Sequence, residues 1–142
     1  MSDYISYKKI PSVLGIEKGD IVLLTSDITD LFMHCQDNGE VFDINILLDQ
    51  FQEAIGEEGT LLIPTYNWGF CQGKPFDYKK TPSKTGAIGN AALRRKDFIR
   101  TKHPIYSFAV WGKDAEKLAM MENVESFGPD SPFAYLEQTD AK

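Results

Sequence analysis

Three short stretches of this 142-residue chain carry groups that could do chemistry. Thr25-Ser26-Asp27-Ile28-Thr29 follows an apolar run. Hydroxyls and backbone N–H groups in such a place can hold a phosphate or an amide carbonyl, and Asp27 could pair with a ligand ammonium. The plainer alternative is a helix cap. Thr81-Pro82-Ser83-Lys84-Thr85-Gly86 combines three hydroxyls, a lysine and a helix start, which suits an anion. It lacks the glycine and Lys-Ser/Thr spacing of a P-loop, and a capped loop before a solvated helix is its alternative. His103-Pro104-Ile105-Tyr106-Ser107 could carry a proton on its imidazole, although a histidine that braces a loop is the commoner case. His34 and Cys35 are adjacent with no further Cys or His near them in sequence, too few ligands for zinc. Cys71 has no convincing partner histidine and reads as a buried thiol. Tyr66, Asn67 and Trp68, with Phe70, Phe76 and Tyr78, make an aromatic loop that could wall a pocket.

Those stretches need elements to position them. Ile21-Val22-Leu23-Leu24 is a short, wholly apolar run after Gly19-Asp20 and reads as a buried strand, and Thr60-Leu61-Leu62-Ile63, after Gly59 and stopped by Pro64, reads as a second. Ile44, Leu47, Leu48, Phe51 and Ile55 recur at helical spacing between a capping Asp43 and a terminating Gly56. Further patterns predict a helix over 86–96, a strand over 107–111 and a helix over 113–121. Ser131-Pro132 predicts a last helix, with a cap followed by proline at the first helical position. Apolar strands alternating with helices imply an α/β fold, a mainly parallel sheet with helices on both faces. In such sheets ligands sit beyond the carboxyl ends of the strands, which points to 25–27, 64–68 and the turn around Gly112. Residues 1–142 are expected to form one domain.

Composition narrows the class. The chain is 42% hydrophobic and 25% charged, as an ordinary globular domain is, and disorder is excluded as its main state. It has no apolar run of membrane-spanning length and no signal-peptide core, so no membrane partner and a cytoplasmic location are expected. Two cysteines cannot build a disulfide framework. The net charge of −6 is uneven: residues 1–71 hold 3 Lys and 12 acidic residues, whereas 74–102 hold 9 basic residues and only Asp77 and Asp97. Such a distribution can hold a cation beside an anion but repels duplex phosphate, so no nucleic-acid partner is expected.

Six segments, in order, carry a resemblance. They are Gly19-Asp20-Ile21-Val22-Leu23 with Ser26, Glu58-Gly59-Thr60-Leu61-Leu62-Ile63-Pro64-Thr65, and Thr81-Pro82-Ser83 with Gly86. His103-Pro104 with Ser107-Phe108, Trp111-Gly112-Lys113, and Phe127-Gly128 with Ser131-Pro132 complete them. From about Val13 to the last residue the chain resembles the antibiotic N-acetyltransferases, the aminoglycoside 3-N-acetyltransferase family.

The resemblance implies an acyltransferase that moves acetyl from acetyl-CoA to an amine of an aminoglycoside or aminosugar, an antibiotic-resistance activity, with no metal. By the resemblance the loop at Ser26 and the Thr81-Pro82-Ser83 segment lie along the CoA, with the His103–Ser107 segment close to it. Asp27, Ile28, Gly86 and Ser107 are further expected CoA contacts, and the basic stretch beside a helix start is expected to set Arg94 and Arg95 in reach of its phosphates. Tyr66, Asn67 and Trp68 are the expected acceptor contacts. Family members run on with another strand and a His…Glu segment that supplies the general base. This chain therefore resembles the N-terminal part of the domain, with its main base expected beyond Lys142 and His103 as a substitute. Leu24-Thr25-Ser26-Asp27 and Phe70-Cys71-Gln72-Gly73-Lys74-Pro75 look more like relatives associated with surface-polysaccharide aminosugars. An amino-deoxy sugar acceptor and an inactive CoA-binding remnant are the alternatives. A homodimer is left open.

Overall fold

Thr60–Pro64 (β2) is buried along its whole length, because its alternating side chains enter two different cores. The computed structural model describes residues 3–142. Leu61 and Ile63 pack into one cluster and Leu62 into the other, as the two-residue period of a strand requires. The first cluster joins the sheet to Ile44–Ile55 (α3) and Ala87–Arg94 (α4) through Leu48, Phe51, Ile55, Ile88 and Ala92. The second joins it to Ala115–Ala119 (α5) and Pro132–Gln138 (α6) through Leu118 and Tyr135. Burying each large apolar side chain contributes about 1.5–3 kcal/mol, so these layers dominate the stability. Helix α3 has the predicted Asp43 cap, whose Oδ1 accepts from the Asn45 N–H at 2.8 Å. Helix α6 has the predicted Ser131 cap, which accepts from the Ala134 N–H.

The sheet has four strands in the order β1-β2-β4-β3, with β1 at Ile21–Leu23, β3 at Ile99–Arg100 and β4 at Phe108–Gly112. It is mixed, which corrects the expectation of a mainly parallel sheet. β1 pairs parallel with β2, whereas β4 pairs antiparallel with both β2 and β3. Strands β1, β2 and β3 thus share one direction, and β4 is inserted against them. The cause lies in the link between β3 and β4. Residues 101–107 are too few for a crossover, so β4 must turn back. Burial of both faces reports that a strand is covered by helices, not which way it runs. A close approach pins the β2–β4 pair: Gly112 has φ +108, and a Cβ there would meet the Gly59 carbonyl at 2.2 Å.

Three elements went without a sequence signal. Ile10–Val13 (α1) continues a 3-10 turn at Tyr7–Lys9, and the buried Tyr7 packs edge-on against Phe42. Thr29–Asp37 (α2) contains His34, which sequence alone places in an acidic loop. Strand β3, two residues long, is the third. At the far side of β1, the Lys142 N–H donates to the Ile21 carbonyl and the Leu23 N–H donates to the Lys142 carbonyl. Lys142 Nζ also pairs with Asp20 at 2.8 Å. Among the described residues, no helix is long and apolar enough to cross a membrane.

Candidate active site

The chain leaves β1 and β2 at the same end of the sheet, and the loops there frame a cavity of about 540 Å³. Thr25 through Thr29 form one wall; Lys84, Thr85, Gly86 and Ala87 form the other. The wall after β1 is held by Asp27, whose Oδ1 accepts from the Thr29 N–H at 2.9 Å at the start of α2. That bond holds the Asp27 carboxyl below its ordinary range, so it stays ionised. Asp27 thus closes a turn just ahead of α2, whose N-cap position, Ile28, has no side-chain cap. Ser26 and Thr25 are exposed beside it.

On the opposite wall, α4 begins at Gly86, which has φ +126 and caps nothing with a side chain. The N-terminus of α4 therefore opens on the cavity with its partial positive charge uncapped by any side chain. An apolar groove of about 270 Å³ continues from it, lined by Leu24, Ile63, Pro64, Tyr66, Ile88 and Gly89. Gly89 is required there: a Cβ would meet the Pro64 carbonyl at 2.7 Å and Ser83 Oγ at 2.8 Å. Tyr66 is half-buried, and burial pushes its phenol up to about 12, so it is neutral.

The Thr81–Gly86 loop is built from its own hydroxyls. Ser83 is buried; its Oγ shares a 2.8 Å hydrogen bond with Thr85 Oγ1 and accepts from the Thr85 N–H. Thr85 Oγ1 donates to the Pro64 carbonyl, and Asn90 Oδ1 accepts from the Ser83 N–H. Thr81 Oγ1 accepts from the Asp77 N–H. Asn67 braces the same loop, donating from Nδ2 to the Pro82 carbonyl while Oδ1 accepts from the Gly69 N–H. Thr81, Pro82, Asn67, Phe76 and Lys74 line a second cavity of about 280 Å³, and Lys84 lines both cavities. Trp68 is exposed and stands edge-on to Tyr66.

His103 is buried at 7% exposure, and both of its nitrogens are engaged. Nδ1 accepts from the Ile105 and Tyr106 N–H groups at 3.2 and 3.0 Å, which leaves the proton on Nε2, 3.2 Å from Ser126 Oγ. Burial also holds its pKa below the ordinary histidine value. This is the geometry of a brace. His34 is exposed on the last turn of α2 and lines neither cavity. Ser107 is buried at the entry to β4, sharing a 2.8 Å bond with Thr65 Oγ1, and lines neither cavity.

The structure therefore brings Ser26, Asp27, Ile28 and Gly86 together around one cavity and sets Thr81, Pro82 and Asn67 around the next. Arg94 and Arg95 stand at the C-terminal end of α4, the opposite end from Gly86, and line neither cavity. Arg95 binds Asp49 at 2.7 Å and Asp97 at 3.0 Å, tying α4 to α3. Cys71 is exposed, not buried. Among the described residues, no group of three or more His, Cys, Asp or Glu is placed to hold a metal ion. Sequence reasoning missed Arg100, a buried polar residue behind the loops. A lone arginine after Phe98-Ile99 gives no periodic signal.

Residues 34–142 match the family model described as aminoglycoside 3-N-acetyltransferase. The chain belongs to that family. Among aminoglycoside 3-N-acetyltransferase relatives it is 27% identical to the SPbeta prophage-derived aminoglycoside N(3')-acetyltransferase-like protein YokD of Bacillus subtilis (strain 168). That match covers 87% of this chain and 52% of YokD, so the chain spans about half the length of that relative. The crystal structure of YokD is similar with a TM-score of 0.76 at 23% identity, covering 92% of this chain and 59% of that one. Aminoglycoside acetyltransferase AAC(3)-Xa is similar with a TM-score of 0.78 at 22% identity over 96% and 53%. AAC-IIIb, solved as a binary complex with CoASH, gives 0.72 at 18% identity over 94% and 55%. These likenesses establish the 3-N-acetyltransferase fold for this chain.

Proposed function

We propose that this chain forms the acyl-donor side of an acetyl-CoA-dependent N-acetyltransferase acting on an aminoglycoside or related aminosugar. The observation that carries the reading is the cavity between the 25–29 loop and the uncapped N-terminus of α4, which runs on into an apolar groove. A polar, anion-friendly mouth joined to an apolar slot suits a phosphopantetheine thioester. Backbone N–H groups of the 25–29 loop or of α4 would bind the thioester oxygen, and one such donor is worth roughly 2.7–4 kcal/mol to acyl transfer. Lys84 would attract the donor's phosphates. Tyr66 and the exposed Trp68 would hold the acceptor sugar.

The acceptor amine must be deprotonated to attack, and a base near pKa 7 contributes about 10²–10⁴-fold. His103 cannot supply it while Nδ1 accepts two backbone N–H groups, so its role in this reading is structural. His34 lines neither cavity. Acetyl transfer by residues 1–142 alone should then be low but measurable, because binding and the donor loop remain.

The test is calorimetric titration of the 142-residue chain with acetyl-CoA, followed by thiol release with a panel of aminoglycosides and amino-deoxy sugars. Saturable donor binding with little thiol release is expected. No donor binding sinks the reading. Robust turnover abolished by His103→Ala makes His103 the base. The acceptor that raises thiol release above the donor-only rate names the substrate class, antibiotic or polysaccharide sugar.

A further inference from the structure

Arg100 ends β3 and is only 5% exposed, yet among the described residues it makes no ion pair. A buried charge without a counter-charge is costly unless its hydrogen-bonding groups are fully used. Here they are spent on oxygens from separate segments. Nε donates to Ser107 Oγ at 3.0 Å, Nη1 to the Thr81 carbonyl at 2.6 Å and the Tyr78 carbonyl at 3.3 Å, and Nη2 to the Thr65 carbonyl at 3.4 Å. The Phe76 ring covers the guanidinium at 4.9 Å, and Tyr78 Oη donates back to the Arg100 carbonyl at 2.6 Å. Burial holds this guanidinium below its ordinary pKa, while Asp77 and Tyr78 pull in the other direction.

The segments so joined include the loop that forms one wall of the first cavity and part of the second; the 25–29 wall is not among them. Thr65 follows β2 and precedes Tyr66. Thr81 opens the loop that carries Ser83, Lys84 and Gly86. Ser107 opens β4. Among the described residues no other side chain hydrogen-bonds all of them; a planar fork of five donors can bind acceptors in several directions at once.

We propose that Arg100 is a positioning residue of the acyl-donor site: its guanidinium fixes the height of the Thr81–Gly86 loop against Thr65 and Ser107, and so sets the fit of the donor. The proposal rests on the donor-site reading above. Its specific content is that the fork matters and the charge does not suffice. Arg100→Lys keeps the charge and gives up the spread of bonds.

The experiment uses the full 142-residue chain as wild type, Arg100→Lys and Arg95→Lys. Arg95 is the control, since it too is held in a network but lies away from the cavities. Three quantities are measured: melting temperature, acetyl-CoA affinity well below that temperature, and hydrogen exchange at the Thr81, Ser83 and Lys84 amides. Both variants should melt lower. Only Arg100→Lys should weaken acetyl-CoA at least tenfold and speed exchange of the loop amides at least tenfold. Lower melting with affinity and exchange unchanged overturns the proposal and leaves Arg100 a structural residue. If Arg100→Lys does not fold, Ser107→Ala, which removes the acceptor at Nε together with the hydroxyl's own bonds to Thr65, is read in the same way, with Thr65→Val, which removes only the Thr65 hydroxyl and leaves Nε its acceptor, as its control. If wild type binds no acetyl-CoA, the donor-site reading fails, and loop exchange still decides whether Arg100 holds the loop.

Discussion

Lys84 is the one side chain that faces both cavities, and its ammonium is exposed. Its contribution to an anionic ligand is therefore screened by salt. Lys84→Glu should weaken acetyl-CoA about 5–30-fold at low ionic strength, with a flatter dependence on salt, as a reversed exposed charge worth about 1–2 kcal/mol implies. Equal affinity across a salt titration would remove Lys84 from the site. His103 gives a prediction of another kind. Its folded pKa lies below the unfolded value of about 6.5, so the unfolded chain binds the extra proton first. The stabilisation is complete above that unfolded value and is lost as pH falls through the folded one. Stability should fall with a slope of at most about 1.4 kcal/mol per pH unit in that window. Chemical denaturation at several pH values checks it, with His103→Gln expected to lack the slope. A slope of opposite sign would mean that the imidazole is charged in the native protein.

At the scale of elements, α4 is held by a close approach at Gly89. Exposed helix interiors usually gain about 0.5–1 kcal/mol from Gly→Ala. At Gly89 the new methyl would press on the Pro64 carbonyl and Ser83 Oγ, so Gly89→Ala should instead destabilise by about 1–3 kcal/mol. A higher melting temperature for that variant would show that α4 can shift freely. Much of this layer was legible in the sequence, and for identifiable reasons. Helix α3 announces itself because Leu47, Leu48, Phe51 and Ile55 face one core and Asp43 and Gly56 bound it. Strand β2 does so because Leu61, Leu62 and Ile63 are consecutive apolar residues between Gly59 and Pro64. The direction of β4 was not legible, because it is fixed by a seven-residue link and a two-residue strand, too short to have a pattern. Helix α2 was hidden because its buried face is small, Cys35 being its one buried residue. Within the site, Asp27 and the Thr81–Gly86 loop were found by residue type. Arg100 was not, since its partners are mostly backbone carbonyls brought together only by folding.

For the molecule as a whole, the sheet is a wall shared by two cores. Leu61 and Leu62 are neighbours in sequence, both fully buried, and belong to opposite sides of that wall. Each should cost about 2–5 kcal/mol when cut to alanine. Were the α3–α4 layer and the α5–α6 layer independent, Leu61→Ala would loosen one and leave the other standing. Because β2 and β4 supply side chains to both, neither layer has a surface of its own to rest on. Melting is then cooperative across the fold: scanning calorimetry should show one heat-absorption peak, with van't Hoff and calorimetric enthalpies equal, displaced as a unit by either substitution. Two resolved peaks in Leu61→Ala or Leu62→Ala would contradict this. The functional corollary concerns the cavity mouth, which hangs on the ends of β1 and β2. Damage behind α5 or α6, on the face turned away from α4, reaches the mouth as readily as damage beneath it. Loss of ligand in a random mutant library should therefore map to both faces of the sheet alike.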